Sequence, residues 1–136
     1  MTPQQLRERA KKFAVAIVRL CRSLPSDWVV REVGKQLVRA GTAVAANYRA
    51  CQRGRSDKEF CAKIGVVVEE ADETELWLEL LQEADPQLAT AETSALIGEA
   101  RELVAIFSAS HRTAKANLER KKAHKRKERA SHRRTP

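Results

Sequence analysis

The sequence predicts an all-α protein, an antiparallel up-down-up-down four-helix bundle. Apolar residues recur at three- and four-residue steps in four long stretches, which is the spacing of one helix face. Glycine and proline are scarce, with 5 and 4 in 136 residues. The connections between the stretches are short, which favours helices that pack against their neighbours in sequence. The length corresponds to one domain.

The first helix is predicted from about residue 4 to residue 22. Leu6, Phe13 and Ile17 belong to a single apolar stripe along it. Leu24-Pro25 ends it, because proline pushes the preceding residue out of the α region.

The second helix is predicted to extend to about Ala50, with Ser26 as its N-cap. Gly34 and Gly41 lie inside it. Each costs about 1 kcal/mol relative to alanine in a helix interior. Their presence predicts that another backbone approaches closely at these positions.

The third helix has the clearest start signal in the chain. Ser56-Asp57-Lys58-Glu59 is a capping box immediately before Phe60. A heptad pattern then continues to Leu81. A second apolar edge widens the stripe beyond what one core requires, which predicts a subunit interface. Its residues are Val68, Leu76, Trp77 and Leu80.

The fourth helix is predicted to begin near Thr90 or Thr93, after the break at Asp85-Pro86. Its apolar stripe reaches Phe107, and the helix is expected to fray past His111. The predicted domain organisation is therefore a bundle over residues 1–110 and a basic, mostly disordered tail over residues 111–136.

Charge is divided into three blocks. Residues 1–63 carry 14 Lys and Arg against 5 Asp and Glu, whereas residues 64–110 carry Arg101 against 11 acids. Residues 111–136 carry 11 Lys and Arg against 2 Glu. The charges of the first two blocks nearly cancel. The simplest interpretation of these blocks is solvated helix faces that form weak ion pairs.

The tail has no acidic segment of its own to neutralise it. It has almost no large apolar residue after Leu118, so it buries too little to offset its ordering entropy. Basic arms of this kind bind phosphate backbones through counterion release; the alternative is a solubilising tail. The predicted nucleic-acid-binding residues of the tail are Arg120, Lys121, Lys122, Lys125, Arg126, Lys127, Arg129, Arg133 and Arg134.

A second basic cluster lies at the connection between helices 2 and 3. Such a patch suits phosphate contacts with little sequence discrimination, and Tyr48 could add base stacking. The alternative is an ordinary solvated turn. The cluster consists of Arg49, Arg53 and Arg55, extended by Lys58 and Lys63.

Catalytic and metal-binding patterns are weak. His111, His124 and His132 all lie at or beyond the predicted end of helix 4. The acids from Glu69 to Glu75 lack the Glu-x-x-His pairing of bundle metal sites. They are expected to face basic residues of helix 2 or of a neighbouring subunit, so no catalytic residue, metal or cofactor is predicted.

The three cysteines have no metal-ligand spacing. Cys21, Cys51 and Cys61 are interpreted as small apolar residues of a cytoplasmic protein. No run of 18 uncharged apolar residues is present, so no membrane partner is predicted.

The pattern ANYRA–RS-KEF–K-G-V-EEAD-WLELL, from Ala43 to Leu81, resembles a bacterial four-helix-bundle family. This family is encoded in intervening sequences of large-subunit ribosomal RNA genes. It is related to the accessory variability determinant of diversity-generating retroelements. The resemblance covers roughly residues 6–108 and excludes the tail.

The resemblance implies a homo-oligomeric ring, a homopentamer, whose basic surface binds RNA or DNA and whose partner is a reverse transcriptase. Together with the basic clusters, it predicts a non-enzymatic nucleic-acid-binding accessory protein. The alternative from a different class is a purely structural or protein-interaction bundle.

Overall fold

A computed structural model describes residues 1–54 and 56–134 of the chain. In this part the fold is all-α and contains no strand, as predicted. Its four α-helices are consistent with a four-helix bundle, and a short 3₁₀ turn at Pro86–Leu88 precedes the last of them. The helices are α1 (Pro3–Arg22), α2 (Trp28–Cys51), α3 (Asp57–Ala84) and α4 (Ala91–Arg133).

The starts of α1 and α2 differ slightly from the sequence-based expectation. Thr2 caps α1 in a reciprocal capping box with Gln5. The N-cap of α2 is Asp27, so the prediction of Ser26 was wrong by one residue. The Asp27 carboxylate accepts hydrogen bonds from the amides of Val29 and Val30, at 2.8 and 3.1 Å. A carboxylate also complements the positive end of the helix dipole, which a serine hydroxyl does not.

The starts of α3 and α4 lie where the sequence places them. Ser56 Oγ accepts a hydrogen bond from the amide of Glu59 at 3.1 Å. Thr90 Oγ1 accepts one from the amide of Thr93 at 3.2 Å. Both bonds satisfy amides of the first helical turn, which have no partner within the helix.

The hydrophobic core receives residues from all four helices. The α3 helix packs against both α2 and α4, and α1 packs mainly against α2. Between α1 and α4 the packing is sparser, and Arg9 spans that pair. Its guanidinium donates to both carboxylate oxygens of Glu99, at 2.9 and 2.5 Å, and to Glu102 at 2.6 Å. The largest fully buried apolar side chains are Phe107, Ile17, Leu37, Ile64, Leu78 and Leu103.

Gly34 and Gly41 of α2 lie where side chains of α1 and of the α1–α2 connection pack closely. A Cβ atom on Gly41 would lie 2.9 Å from Cγ2 of Ile17. One on Gly34 would lie 2.9 Å from Cδ1 of Leu24. A Cβ atom on Gly41 would also lie 3.1 Å from Cβ of Ile17, so α1 packs closely against α2 at this position.

The α4 helix is longer than the sequence predicts, and it continues through most of the segment expected to be disordered. Ala114 and Leu118 are its last half-buried residues, and every residue from Glu119 to Arg134 is exposed. Alanine, lysine, arginine and glutamate have high intrinsic helix propensity. Because the packed part of α4 supplies the nucleus, each added residue extends an existing helix and bears no nucleation cost.

None of the helices within residues 1–54 and 56–134 combines the length and apolarity that crossing a membrane requires.

Candidate nucleic-acid interface

The structure brings the two predicted basic clusters to the same end of the molecule. Asp57, the first residue of α3, forms an ion pair with Lys121 of α4. Beyond this contact α4 projects from the rest of the fold. We call residues 119–133 the α4 extension and residues 52–56 the α2–α3 turn. At 1.5 Å per residue, the 15 residues of the extension are about 22 Å long.

Around the α2–α3 turn, four of the six predicted residues present exposed side chains. Arg55 lies outside the described residues. Lys63 acts on the buried thiol of Cys51, whose pKa burial raises to about 11 while the lysine charge lowers it. The exposed cations are Arg49, Arg53, Lys58 and Lys63.

Tyr48 does not have the role that the sequence suggests. Its ring is 5% exposed and packs against Phe107, with the ring centroids 5.2 Å apart. Burial raises the pKa of its hydroxyl, and the charge of Arg7 lowers it. The ring is a core contact between α2 and α4, so it does not offer a face for stacking a base.

Arg7 belongs to this end of the molecule and was missed in the sequence. Its charge acts on Tyr48, which places the first turns of α1 near the last turns of α2. The available signal was the α1–α2 hairpin itself, because a short connection returns the end of one helix to the start of the other.

The α4 extension presents cations on all its sides. Two of its carboxylates form pairs within the helix, Glu119 with Lys122 at 3.6 Å and Glu128 with His124 at 2.9 Å. The remaining positive charge faces solvent. The exposed predicted residues here are Arg120, Lys121, Lys122, Lys125, Arg126, Lys127, Arg129, Arg133 and Arg134.

A groove of about 970 Å³ runs between the first turn of α3 and α4. Asp57 and Phe60 line it from α3, and small or polar residues of α4 line it from the other side. We call it the Phe60 groove. The residues from α4 are Ala109, Ser110, Thr113, Ala114, Asn117, Arg120, Lys121, His124, Lys125 and Glu128.

His111 lies well inside α4, contrary to the expectation that it is near the helix end. Its imidazole packs over Gly65 of α3, where a Cβ atom would lie 3.0 Å from Nε2. Burial is the main cause that lowers its pKa, and the charge of Lys115 acts in the same direction. His111 therefore fills an interhelical contact for which the absence of a side chain at Gly65 makes room.

The acidic segment of α3 is neutralised partly by Arg39 of α2 and partly by Arg101 of α4. Burial and the neighbouring Glu73 raise the pKa of Glu70, and the charge of Arg39 on α2 opposes this. Arg101 of α4 donates to Glu75 at 2.7 Å and to Glu79 at 3.1 Å. In the described ranges, no three histidine, cysteine or acidic side chains are grouped as metal ligands would be.

The cysteines are free thiols in the structure. Cys51 and Cys61 are buried and Cys21 is half-buried. Burial raises the pKa of Cys21 to about 11, as it does for Cys51. These two thiols are therefore protonated at neutral pH, whereas nucleophiles and metal ligands react as thiolates.

Comparison with known proteins places this fold in context. A family model described as 23S rRNA-intervening sequence protein matches residues 4–109. A crystal structure of a protein with unknown function from the S23 ribosomal protein family of Bacteroides thetaiotaomicron VPI-5482 is similar, with 28% sequence identity and a TM-score of 0.69. The similarity covers 77% of this chain and 96% of that one. No curated protein matches the chain. The family match ends at Ala109, so the α4 extension lies beyond it.

Proposed function

Because the chain belongs to the 23S rRNA-intervening sequence protein family, we propose that it is a non-enzymatic accessory protein that binds nucleic acid as a basic scaffold. The observation that carries this proposal is the position of the α4 extension. The Lys121–Asp57 pair holds its base at the start of α3, where the exposed Lys58 follows Asp57 in the chain. We propose that the two clusters act together as one basic surface.

The physical basis of binding is the phosphate backbone. Lysine and arginine side chains that neutralise phosphates release condensed counterions, so affinity falls steeply as salt rises. The extension has no large apolar side chain after Leu118 that would bury against a protein partner. RNA and DNA both present this phosphate charge, so the same lysine and arginine contacts can bind either nucleic acid.

We further propose an antiparallel up-down-up-down arrangement of the four helices. The pairing between α3 and α4 supports it, because residues late in α3 meet residues early in α4. Ser94 Oγ lies 3.3 Å from Gln82 Oε1, and Arg101 meets Glu79. At the other end of the pair, Lys121 meets Asp57.

In the proposed assembly, copies of this chain form a homo-oligomeric ring, a homopentamer. The apolar side chains that α3 leaves exposed support it: Val66 is 39% exposed, Leu76 47% and Leu80 39%. A ring would repeat the basic surface on every subunit, so that weak phosphate contacts add by avidity.

The biological setting we propose is the cytoplasm, which suits the free thiols. The resemblance to the accessory variability determinant of diversity-generating retroelements supports a reverse transcriptase as protein partner. Light scattering at micromolar concentration tests the ring, and a monomer would contradict it. Co-purification with a reverse transcriptase that is encoded nearby tests the proposed protein partner.

The test of nucleic-acid binding is an electrophoretic titration with RNA and DNA across a salt series. A triple variant, Lys125→Gln, Arg126→Gln and Lys127→Gln, removes three cations from the extension without lowering helix propensity. We expect weaker binding at low salt and a shallower dependence of affinity on salt.

The matched control removes three exposed cations from the end of α1 and the start of α2: Arg19→Gln, Arg22→Gln and Arg31→Gln. We expect this variant to retain much more of the affinity than the extension variant. Equal losses would mean that binding follows net charge alone. If the unmodified protein binds no nucleic acid at low salt, the proposal is wrong.

A purely structural or protein-interaction role is the second candidate. The exposed Leu76 and Leu80 favour it, because contiguous apolar surface of this kind is typical of protein contacts. If this candidate is right, the complex with a captured protein should persist after nuclease treatment and at high salt. Loss of the captured protein on Leu76→Ser and Leu80→Ser substitution, with unchanged nucleic-acid binding, would separate this candidate from the first.

A further inference from the structure

We propose that the Phe60 groove binds an unstacked base of single-stranded nucleic acid, with the flanking phosphates on the cations of the groove and the α4 extension. This inference rests on the proposed function and adds to it a site and a preference for single strands. It concerns a part of the molecule that charge patterning did not identify.

The first support is the composition of the groove. Phe60 is half-buried at the start of α3 and supplies the phenyl ring among the residues that line the groove. Across from it α4 contributes Ala109 and Ala114, whose small side chains leave space beside the ring. A groove of about 970 Å³ is large enough for a nucleotide. An aromatic face with open space beside it is the arrangement on which bases stack.

The second support is the polar lining. Ser110, Thr113 and Asn117 lie along the α4 side and carry hydroxyl and amide groups that can pair with a base edge. The part of the groove toward the extension is lined by Arg120, Lys121 and Lys125. An apolar floor, polar edge groups and adjacent cations match the three parts of a nucleotide.

In the described part of the chain, three cations and two acids line the groove. Asp57 is paired with Lys121. Glu128 contacts His124, with 2.9 Å between Oε1 and Nε2, and this contact is an ion pair when the imidazole is protonated. Arg120 and Lys125 remain available at the same site, and Arg120 contacts the side-chain oxygen of Asn117.

The size of the apolar side chains decides between a base and a docked helix. An amphipathic helix that binds a groove uses several large apolar anchors at i, i+3, i+4 and i+7, each of which needs a matching apolar contact. Phe60 is the large apolar side chain among the residues that line this groove, and its neighbours across the groove are alanine, serine and threonine. One flat ring fits this lining better than the side of a helix does.

The same geometry predicts selectivity for single strands. In a duplex each base is stacked between neighbours and paired at its edge, so it cannot enter the groove unless it is flipped out at a cost of a few kcal/mol. Duplex phosphates would still reach the cations. Phe60 should therefore contribute to single-strand affinity and leave duplex affinity unchanged.

The experiment compares fluorescence anisotropy of a labelled 12-nucleotide single strand with that of a 12-base-pair duplex, using the full chain at low salt. Phe60→Leu keeps apolar volume but removes the aromatic face, and Phe60→Tyr keeps the face. We expect Phe60→Leu to weaken single-strand binding about tenfold, while duplex binding stays within about twofold. Phe60→Tyr should bind like the unmodified chain.

Trp28→Leu is the matched control. Trp28 is an exposed aromatic residue at the start of α2, and it does not line the groove. Its substitution should leave both affinities unchanged. Circular dichroism and thermal unfolding establish that each variant is folded.

Crosslinking of the unmodified protein makes the test independent of whether the Phe60 variants fold. A single strand that carries 5-iodouridine is irradiated in complex with the protein, and the protein is then digested with trypsin. We expect adducts on the peptide 59–63, which contains Phe60, or on peptides of α4 that line the groove. Adducts confined to other peptides would overturn the assignment.

Three outcomes are distinguishable. If the unmodified protein binds no nucleic acid, the proposed function fails and this inference fails with it. In the second outcome the protein binds, and Phe60→Leu lowers the affinities for single strand and duplex equally or changes neither affinity. The proposed base site is then wrong and the proposed function stands. If Phe60→Leu instead abolishes binding of an acidic amphipathic peptide, the groove belongs to a protein partner and the inference is overturned.

Discussion

The α4 helix contains two regions that share one backbone and differ in almost everything else. Its first part, residues 91–118, contributes buried residues such as Leu103 and Phe107 to the core and pairs through Arg101 with α3. The α4 extension has no buried residue, and nine lysine and arginine residues lie beyond Leu118. Along a single helix, stability and charge are therefore separated.

This difference indicates which substitutions should affect folding and which should affect binding. A side chain in the first part of α4 acts through packing, which is short-ranged and sensitive to volume. A side chain in the extension acts through charge, which is additive in its effect on phosphate binding and sensitive to salt. The following predictions test that separation.

Phe107→Ala should have the largest effect. Phe107 is fully buried and its ring contacts Tyr48. Truncation of a buried phenylalanine costs about 3–5 kcal/mol, so we expect this loss in the free energy of unfolding by urea. Lys127→Ala, in the extension, should change that free energy by less than about 0.5 kcal/mol. Comparable losses in the two variants would abolish the distinction between the regions.

Deletion of residues 119–136 should weaken nucleic-acid binding and leave the free energy of unfolding nearly unchanged. The chain ending at Leu118 loses nine lysine and arginine residues, and every described residue that it loses, 119–134, is exposed. We expect its nucleic-acid affinity to fall by about a hundredfold at low salt. The surface Lys121–Asp57 pair contributes at most about 1 kcal/mol to stability, so the urea midpoint should change little. A chain that binds normally after this deletion would contradict a role for the extension.

Two glycine-to-alanine substitutions, both inside helices, test whether the packing around the new methyl group decides the change in the free energy of unfolding. Gly41→Ala places a Cβ atom 2.9 Å from the fully buried Ile17 and should destabilise the protein by about 1–2 kcal/mol. Gly98→Ala in α4 meets nothing within 4 Å and should stabilise it by about 1 kcal/mol. Thermal unfolding measures both. If Gly41→Ala stabilised the protein, α1 would have to shift away from the new methyl group at little cost in free energy.

Glu99→Gln should have the smallest effect, about 1 kcal/mol at pH 7. The hydrogen bond from Arg9 is the main cause that lowers the pKa of Glu99 below its ordinary value of 4.5. Since the folded-state pKa is the lower one, the pair stabilises the protein above about pH 4.5, and this contribution disappears as the pH falls through the folded-state value.

The measurement is urea unfolding of both proteins at pH 7 and pH 3. We expect the difference between unmodified and Glu99→Gln protein to shrink at the lower pH. Glu83→Gln, which alters an exposed carboxylate at the end of α3, is the control and should show no such loss. A difference that is the same at both pH values would attribute the effect to packing.

Much of the fold could be predicted from local signals in the sequence. Thr90 and Ser56 mark helix starts because their hydroxyls accept bonds from amides three residues later, a contact within one turn. Pro25 and Pro86 mark breaks for reasons of local geometry. The apolar period assigns Ile64, Leu78 and Leu103 to the core without reference to any other helix.

The candidate site could be predicted only in part. The cations near the α2–α3 turn and in the extension are visible as charge clusters, and those in the described residues are exposed. Tyr48 was expected to add base stacking because it lies next to Arg49 in the basic cluster between helices 2 and 3. Its burial depends on Phe107, a residue that the linear sequence places 59 positions away.

The sequence by itself determined the helices, most of their ends and the separation of charge along the chain, because these follow from contacts within a few residues. The tertiary structure alone decided that the basic turn and the basic extension meet at Lys121 and Asp57. It also decided that Phe60 borders a groove and that Tyr48 does not face solvent. These features depend on how α4 packs against α2 and α3, between residues more than 40 positions apart in the chain, which no local pattern encodes.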